Sequence, residues 1–164
     1  MLCAPEVALG RHDDAVAIAR MSRDFIEYGL GWKWTTSRIL RCMGDEATNV
    51  AVSREGGNLG GFAIMKYNDD EAHLLLFAVD AEHRRRGMGS ALLGWLEATA
   101  LTAGIGLIYL EARVRNTGAR AFYQHHGYRE VAHIPGMYRG VEDGLRIAKD
   151  LWARPGATNH PGAR

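Results

Sequence analysis

A run of arginines and glycines near the middle of the chain has the residue types of an anion-binding loop. A stretch with strong helical periodicity begins at its end, and the run itself reads His83-Arg84-Arg85-Arg86-Gly87-Met88-Gly89-Ser90. Glycine lets backbone N–H groups approach a ligand closely, and a helix N-terminus offers unpaired amides and a positive dipole. Arginines add charge-assisted donors for phosphate oxygens. The pattern predicts a pyrophosphate site, with a plain helix-capping loop beside solvated arginines as the alternative.

Two other glycine-rich phosphate motifs do not fit this loop. A P-loop requires Gly-Lys followed by Ser or Thr, and the sequence contains no such tripeptide. A dinucleotide-binding fingerprint requires a third small residue where Leu92 stands, and an acidic residue at the end of a second strand. A dinucleotide-binding enzyme is therefore disfavoured.

The elements that hold this loop can be predicted from hydrophobic periodicity. Residues 73–79 form a near-continuous apolar run, typical of a buried strand, and residues 87–103 have the clearest helical pattern. Further helices are expected at 15–28, 35–43 and 116–127, and further strands at 5–9, 49–54, 59–67, 107–114, 128–134 and 141–151. This order indicates one α/β (α+β) domain over residues 1–152, with a mixed sheet between helices on both faces. Residues 153–164, which contain two Pro-Gly pairs, are expected to form a disordered tail.

Composition narrows the class of protein and of partner. The 164 residues are 47% hydrophobic and 24% charged, as in ordinary globular domains. A formal net charge of +1 gives no strong field for polyanions, so nucleic acid is not an expected partner.

Cys3 and Cys42 are the only cysteines and belong to no ligand cluster. Neither disulfides nor a metal is therefore expected, and the cytoplasm is the expected compartment. No apolar run reaches the roughly 20 residues of a membrane span. His125 and His126 are typical of a cationic helix end rather than a metal site.

Two segments together resemble the GNAT acetyltransferase superfamily. Its pyrophosphate signature is Gln or Arg, two residues, Gly, one residue, then Gly or Ala, after a buried strand; residues 84–89 match it. A second family signature runs Leu-Glu-Val-Arg, Asn, Ala, a pair ending in Tyr, and Gly-Phe or Gly-Tyr. Similar to it are Leu110-Glu111-Ala112-Arg113, Asn116, Ala119, Phe122-Tyr123 and Gly127-Tyr128. This run is most like that of the ribosomal-protein alanine acetyltransferases. The resemblance implies an acetyl-CoA-dependent N-acetyltransferase with a mostly antiparallel sheet and one splayed strand pair.

The same resemblance implies which residues bind acetyl-CoA. The free edge of the strand that carries residues 77–79 would bond the pantetheine amides as one strand bonds another. The loop would hold the pyrophosphate, and the second signature would contact the pantetheine arm and the thioester. The implied set is Phe77, Ala78, Val79, Arg84, Arg85, Arg86, Gly87, Met88, Gly89, Ser90, Asn116, Ala119, Phe122 and Tyr123. Asn116 is equally suited to capping a helix.

A catalytic acid and two competing bases follow from the resemblance. Tyr123 would lie near the departing sulfur, where a hydroxyl donor lets thiolate leave as the thiol. Glu111 matches the glutamate of the second signature. His73 stands where histone acetyltransferases of the family carry a glutamate, and an imidazole titrates closer to neutral pH than a carboxylate. The matched motif favours Glu111; a water relay, or a purely structural pairing of Glu111 with Arg113 or Arg115, are the alternatives.

The amine acceptor is less well defined. The resemblance implies that the loop between the first two helices and the last hairpin form its walls, with Trp32, Lys33, Trp34, Tyr138 and Arg139 among them. Aromatic rings there can hold an aliphatic or cationic amine, or can simply close the core. Small amines, protein N-termini and lysines are all candidate acceptors, and a homodimer is an open alternative. An acyl-CoA-binding regulator without turnover is the competing function, and it would need neither Tyr123 nor a base.

Overall fold

Seven strands form one mixed sheet in the computed structural model, which describes residues 4–84 and 87–153. The strands are β1 Glu6–Leu9, β2 Thr48–Glu55, β3 Asn58–Tyr67, β4 Glu71–Val79, β5 Leu107–Arg113, β6 Arg129–Tyr138 and β7 Glu142–Asp150. Their order across the sheet is β1-β2-β3-β4-β5-β7-β6. Within the described ranges all neighbouring pairs are antiparallel except β4 and β5, which are parallel. The predicted fold class is confirmed.

Helices cover both faces of this sheet. They are α1 Ala15–Met21, α2 Thr36–Gly44, α3 Met88–Thr102 and α4 Thr117–His125. One core joins α1 and α2 to Val50, Val52, Phe62 and Ile64, and a second core joins α3 and α4 to Ala51, Ala63 and Met65. Because successive side chains of a strand point to opposite faces, a stretch buried on both faces is apolar throughout, as residues 60–65 of β3 are. No helix in the described part of the chain is long and apolar enough to cross a membrane.

The first helix ends earlier than its hydrophobic pattern predicts. The α-helical part stops at Met21, and residues Ser22–Ile26 continue as a π-helix. The Glu27 amide donates to the Ser22 carbonyl at 2.8 Å, the wider spacing of that helix type. The Ser22 hydroxyl also donates to the Glu27 carboxylate at 3.0 Å. A π-turn of this kind often marks a functional segment, and it lies here beside the cleft described below.

The last hairpin turns later than predicted. Pro135 and Gly136, expected between two strands, lie within β6, where the register with β7 shifts between Ile134 and Tyr138. Proline has no N–H to give to a ladder, so it is tolerated at such an irregularity. The chain reverses instead at Arg139 and Gly140, both with positive φ.

An extra residue in β4 changes which face its side chains occupy. Ile64 of β3 lies opposite Leu76, whereas Met65 lies opposite Leu74, so Leu75 has no partner on β3. Ala72 and Leu74 belong to the core under α3, but Leu76 and Ala78 belong to the core under α1 and α2. A bulge displaces every later residue to the other face. Phe77 is thereby brought to the side of the sheet that carries α4.

The β4–β5 pair separates after three residue pairs. Parallel pairing runs from Glu71 opposite Leu107 to His73 opposite Tyr109. Beyond this point β4 continues with β3 as far as Val79, and β5 continues with β7 as far as Arg113. The two strands diverge, which confirms the predicted splayed pair, and each leaves one backbone edge facing the gap.

Candidate active site

The gap between β4 and β5 opens into a cleft of about 970 Å³. Its walls come from the diverging halves of both strands, the start of α3, α4, the segment between α1 and α2, and the end of β6. The predicted residues that line it are His73, Phe77, Ala78, Val79, Arg84, Gly87, Gly89, Ser90, Glu111, Asn116, Ala119, Phe122 and Tyr123. Arg85 and Arg86 lie outside the described residues. Met88 is different, because its side chain is buried in the core, so only its backbone remains available to a ligand.

The glycine–arginine loop ends in a helix start that suits an anion. Gly87 is the N-cap of α3 with φ +77°, a left-handed conformation that disfavours side chains with a Cβ. The first intrahelical bond of α3 runs from the Ala91 amide to the Gly87 carbonyl, so the amides of residues 88–90 have no acceptor within the helix. The Arg84 Nε donates to the Val79 carbonyl at 3.2 Å, which holds its guanidinium at the end of β4.

His73 and Glu111 form one hydrogen-bonded pair where the strands begin to separate. The His73 Nε2 lies 2.5 Å from the Glu111 Oε2, and the His73 ring stacks on Tyr109 with centroids 4.2 Å apart. The other carboxylate oxygen of Glu111 accepts from the Arg146 guanidinium at 3.2 Å. Burial raises the pKa of Glu111, but the bonds and charges of His73 and Arg146 outweigh it, and the pKa lies below its ordinary value. The expected pairing of Glu111 with Arg113 or Arg115 is wrong, because its partners are His73 and Arg146.

Tyr123 lies in an aromatic cluster at the opposite wall of the cleft. Its ring packs edge-on against Phe77, Phe122 and Tyr128, with centroids 6.1, 5.3 and 5.5 Å away. The hydroxyl has no hydrogen-bond partner among the described residues. Burial raises the pKa of Tyr123 far above its ordinary value, so the hydroxyl keeps its proton throughout the neutral range. It is thus a protonated donor free to bond a ligand.

Arg113 joins three elements around the cleft, a role that sequence reasoning missed although the residue belongs to the second signature. Its Nη2 donates to the carbonyls of Ile26 and Tyr28 at 2.7 and 2.8 Å, and its Nη1 donates to Glu142 at 3.0 Å. The guanidinium also lies 4.0 Å from the centre of the Tyr28 ring. The buried cation therefore ties β5 to the segment after α1 and to the final hairpin.

Glu27 organises the segment between α1 and α2, and no motif pointed to it. One carboxylate oxygen accepts from the backbone amides of Lys33 and Trp34 at 2.7 and 3.2 Å, and the other accepts from the Ser22 hydroxyl. A buried carboxylate needs such donors. These bonds fold the segment back across the cleft and account for the placement of Lys33 and Trp34, which line it.

The predicted acceptor walls are only partly assembled as expected. Lys33, Trp34, Tyr138 and Arg139 line the cleft, but Trp32 does not. Trp32 is 46% exposed and lies near Arg23. The Arg38 guanidinium lies 3.8 Å from the Trp34 ring centre, so one face of that ring is already covered. The Trp32–Trp34 pair suggested by the sequence is therefore not a stacking site.

The fold and the cleft define a class of enzyme. A splayed strand pair, a glycine-capped helix directly after one of its strands, and an aromatic wall with a free hydroxyl are the features expected of an acetyltransferase. Residues 17–128 match the acetyltransferase (GNAT) family, and the chain belongs to that family. The protein is an N-acetyltransferase.

Similar proteins agree with this assignment. The [Ribosomal protein bS18]-alanine N-acetyltransferase of Escherichia coli (strain K12) is 32% identical over 115 residues, which cover 70% of this chain and 76% of that protein. Ard1 from Thermoplasma volcanium has the same fold, with a TM-score of 0.80 and 24% identity over 92% of this chain and 100% of that one. The yncA protein from Salmonella typhimurium, solved with its cofactor acetyl-CoA, has a TM-score of 0.76 and 18% identity over 99% and 100% of the two chains.

We expect replacement of Gly89 by Val to weaken CoA binding at least tenfold, which corresponds to about 1.4 kcal/mol. A Cβ at Gly89 would lie 3.2 Å from the Phe122 ring, and Gly89 lines the cleft, so a valine side chain there would take up space at the predicted phosphate end of the cleft. Gly94→Val is the matched control on the same helix, because a Cβ there meets nothing within 4 Å. Isothermal titration calorimetry measures both. A folded Gly89→Val protein that binds CoA as tightly as the Gly94→Val protein would contradict the predicted site.

Proposed function

We propose that the enzyme transfers acetyl from acetyl-CoA directly to a primary amine of a small molecule, a protein N-terminus or a lysine. The observation that carries the proposal is the His73–Glu111 pair on one wall of the cleft, with the Tyr123 hydroxyl free on the other. Transfer to an amine needs a group that removes a proton from the nitrogen and another that gives a proton to the sulfur. This cleft offers both.

The residues of the cleft fit acetyl-CoA, which would supply the activated acyl group. The unpaired edge of β4 from Leu74 to Val79 has the backbone donors and acceptors that a pantetheine arm with two amides can bond. The free amides at the start of α3 and the Arg84 guanidinium suit a diphosphate. Asn116 accepts from the Ala119 amide as the cap of α4, and its side-chain NH₂ is left to donate to the ligand.

The proton steps follow from the protonation states of the residues on the two walls of the cleft. The amine nitrogen attacks the acetyl carbonyl carbon, the carbon–sulfur bond breaks, and one proton must move from nitrogen while another reaches sulfur. The Tyr123 hydroxyl, held protonated by burial, donates to the sulfur. The His73–Glu111 pair accepts the amine proton as one unit, with the carboxylate orienting the imidazole and stabilising its charged form.

Direct transfer is favoured over an acetylated enzyme. Cys42 is the one cysteine that the described residues include, and it does not line the cleft. Burial also raises the pKa of the Cys42 thiol, which lowers its thiolate content at neutral pH. Both substrates must then be bound together, so double-reciprocal plots should intersect.

A panel of amines incubated with acetyl-CoA, scored by release of free thiol, tests the proposed function. The panel should include amino acids, short peptides with free N-terminal alanine, and lysine-containing peptides blocked at the N-terminus. Peptides are included because the Escherichia coli relative is named for ribosomal-protein alanine acetylation. We expect acceptor-dependent thiol release. Binding of acetyl-CoA with no release for any amine would instead support the acyl-CoA-binding regulator.

We expect Tyr123→Phe to lower kcat by about 10–10³-fold while CoA affinity is retained. The substitution keeps the ring in its aromatic cluster and removes only the hydroxyl donor. Tyr67→Phe is the control, because its hydroxyl accepts from the Asn49 amide and Tyr67 does not line the cleft. Steady-state kinetics and calorimetry on both variants check this. A normal kcat for the Tyr123→Phe enzyme would show that Tyr123 is not the general acid.

Substitutions of the His73–Glu111 pair should be non-additive. If the two residues act as one base, His73→Gln, Glu111→Gln and the double variant should each lose a similar factor in kcat/KM. The wild-type kcat/KM should fall as pH decreases, because the pair is then protonated before the amine arrives. A midpoint below the ordinary pKa of glutamate, about 4.3, would identify Glu111 with its lowered pKa as the group that takes the proton, and a midpoint nearer neutral pH would exclude it.

Glu130→Gln is the control for that cycle, since Glu130 is exposed and bonds Arg120 away from the cleft. Losses of the two single variants that simply multiply in the double variant would show two independent groups. Retention of the acid limb and of most of the rate in both singles would show that the proton leaves through water.

A further inference from the structure

The start of α3 is bonded to the end of α4 by a serine and a histidine that the proposed mechanism does not use. The Ser90 Oγ lies 3.1 Å from the Nε2 of His126. Ser90 is in the first turn of α3 and lines the cleft, and His126 is the residue that ends α4. The Phe122 ring lies 4.7 Å from the His126 ring and fixes its position. The Ser90 hydroxyl thus connects the His126 imidazole to the start of α3, where the proposed phosphate-binding amides lie.

We propose that His126 is a further cofactor-binding residue, which takes up a proton when acyl-CoA binds and acts on a phosphate group through Ser90. The proposal rests on the proposed function, because it takes the start of α3 to be the phosphate end of the cleft. It adds a residue that belongs to neither family signature, and it makes cofactor affinity depend on pH.

The direction of the Ser90–His126 hydrogen bond carries the argument. When Nε2 is unprotonated, it accepts the Ser90 hydroxyl proton, and that hydroxyl cannot donate to a phosphate. When the ring is protonated, Nε2–H donates to the Ser90 oxygen. The serine proton is then free for a phosphate oxygen, and the imidazolium adds a positive charge behind it. A neutral ring with its proton on Nε2 would free the same serine proton, but only the imidazolium also supplies a positive charge, and for that reason the ligand favours the protonated ring.

Among the described residues, no anion is dedicated to His126. The titratable groups that act on it from the packed elements of this part of the chain are His125 on α4, Glu97 on α3 and Lys149 on β7. Glu97 is already bonded to the Lys149 ammonium at 3.1 and 3.2 Å and to the Tyr128 hydroxyl at 3.1 Å. Burial and the neighbouring His125 keep the pKa of His126 below its ordinary value. A negatively charged phosphate bound nearby would act in the opposite direction and raise the pKa of His126.

The test compares CoA binding by wild type, His126→Gln and His125→Gln between pH 5.5 and 8.5. A bound-state pKa about one unit above the free-state pKa would make wild-type binding about tenfold tighter below the free pKa, and this gain would be lost as pH rises through the bound pKa. We expect His126→Gln to lack that gain and exposed His125→Gln to keep it, with its midpoint moved to higher pH because His125 lowers the pKa of His126. The phosphates of CoA titrate identically in all three experiments. The ratio of variant to wild-type dissociation constants therefore reports only the protein's contribution to the pH dependence.

A direct readout is the NMR titration of the His126 ring with and without CoA, in which a structural role alone would produce no upward shift. An unchanged His126 midpoint, or equal pH profiles for wild type and His126→Gln, would overturn the proposal. Repeating the titration with 3′-dephospho-CoA distinguishes the diphosphate from the 3′-phosphate as the partner. Absence of CoA binding by the wild type itself would instead refute the proposed function, so the two failures are distinguishable.

Discussion

The parallel pairing of β4 with β5 stops after three residue pairs, and the site depends on that interruption. Each strand is paired along its outer side, β4 with β3 apart from the bulge at Leu75, and β5 with β7. Neither strand can therefore turn back to close the gap without breaking an antiparallel ladder. Unpaired backbone groups are costly when they are buried away from water, so the gap persists as an open cleft in which a ligand with its own amides can satisfy them.

The bulge at Leu75 then decides what faces this cleft. Ahead of it, His73 lies on the same face as Tyr109 and Glu111, where the strands are still paired. After it, Phe77 points to the α4 side and contacts Phe122 and Tyr123. Without the extra residue, period-2 alternation would place Phe77 on the α1 face. One inserted residue therefore allows the same strand to present an imidazole on one face and an aromatic support for the tyrosine on the other.

The sequence predicted most of this arrangement where signals were local. The helical periodicity that follows Gly87 and the Asn116 cap are properties of adjacent residues, and the structure has them. The contacts that sequence reasoning missed correspond to no pattern of adjacent residues. Arg113 donates to carbonyls more than eighty residues earlier in the chain. Glu27 can accept from the amides of the following loop because the π-turn that precedes it positions its carboxylate there. The sequence presents His73 and Glu111 as competing bases, because no sequence pattern indicates that two residues 38 positions apart share a hydrogen bond.

The two walls of the cleft hold their titratable groups in opposite protonation states. On one wall, bonds to His73 and Arg146 keep Glu111 ionised despite its burial. On the other, burial in an aromatic cluster, where none of the described residues places a charge that would stabilise a phenolate, keeps Tyr123 protonated. Groups whose environments push their pKa values apart in one site are suited to opposite roles as acid and base. In the proposed reaction, the amine proton moves toward His73 and Glu111 and the Tyr123 proton moves toward sulfur, and the packing of the two walls favours this direction before either substrate binds.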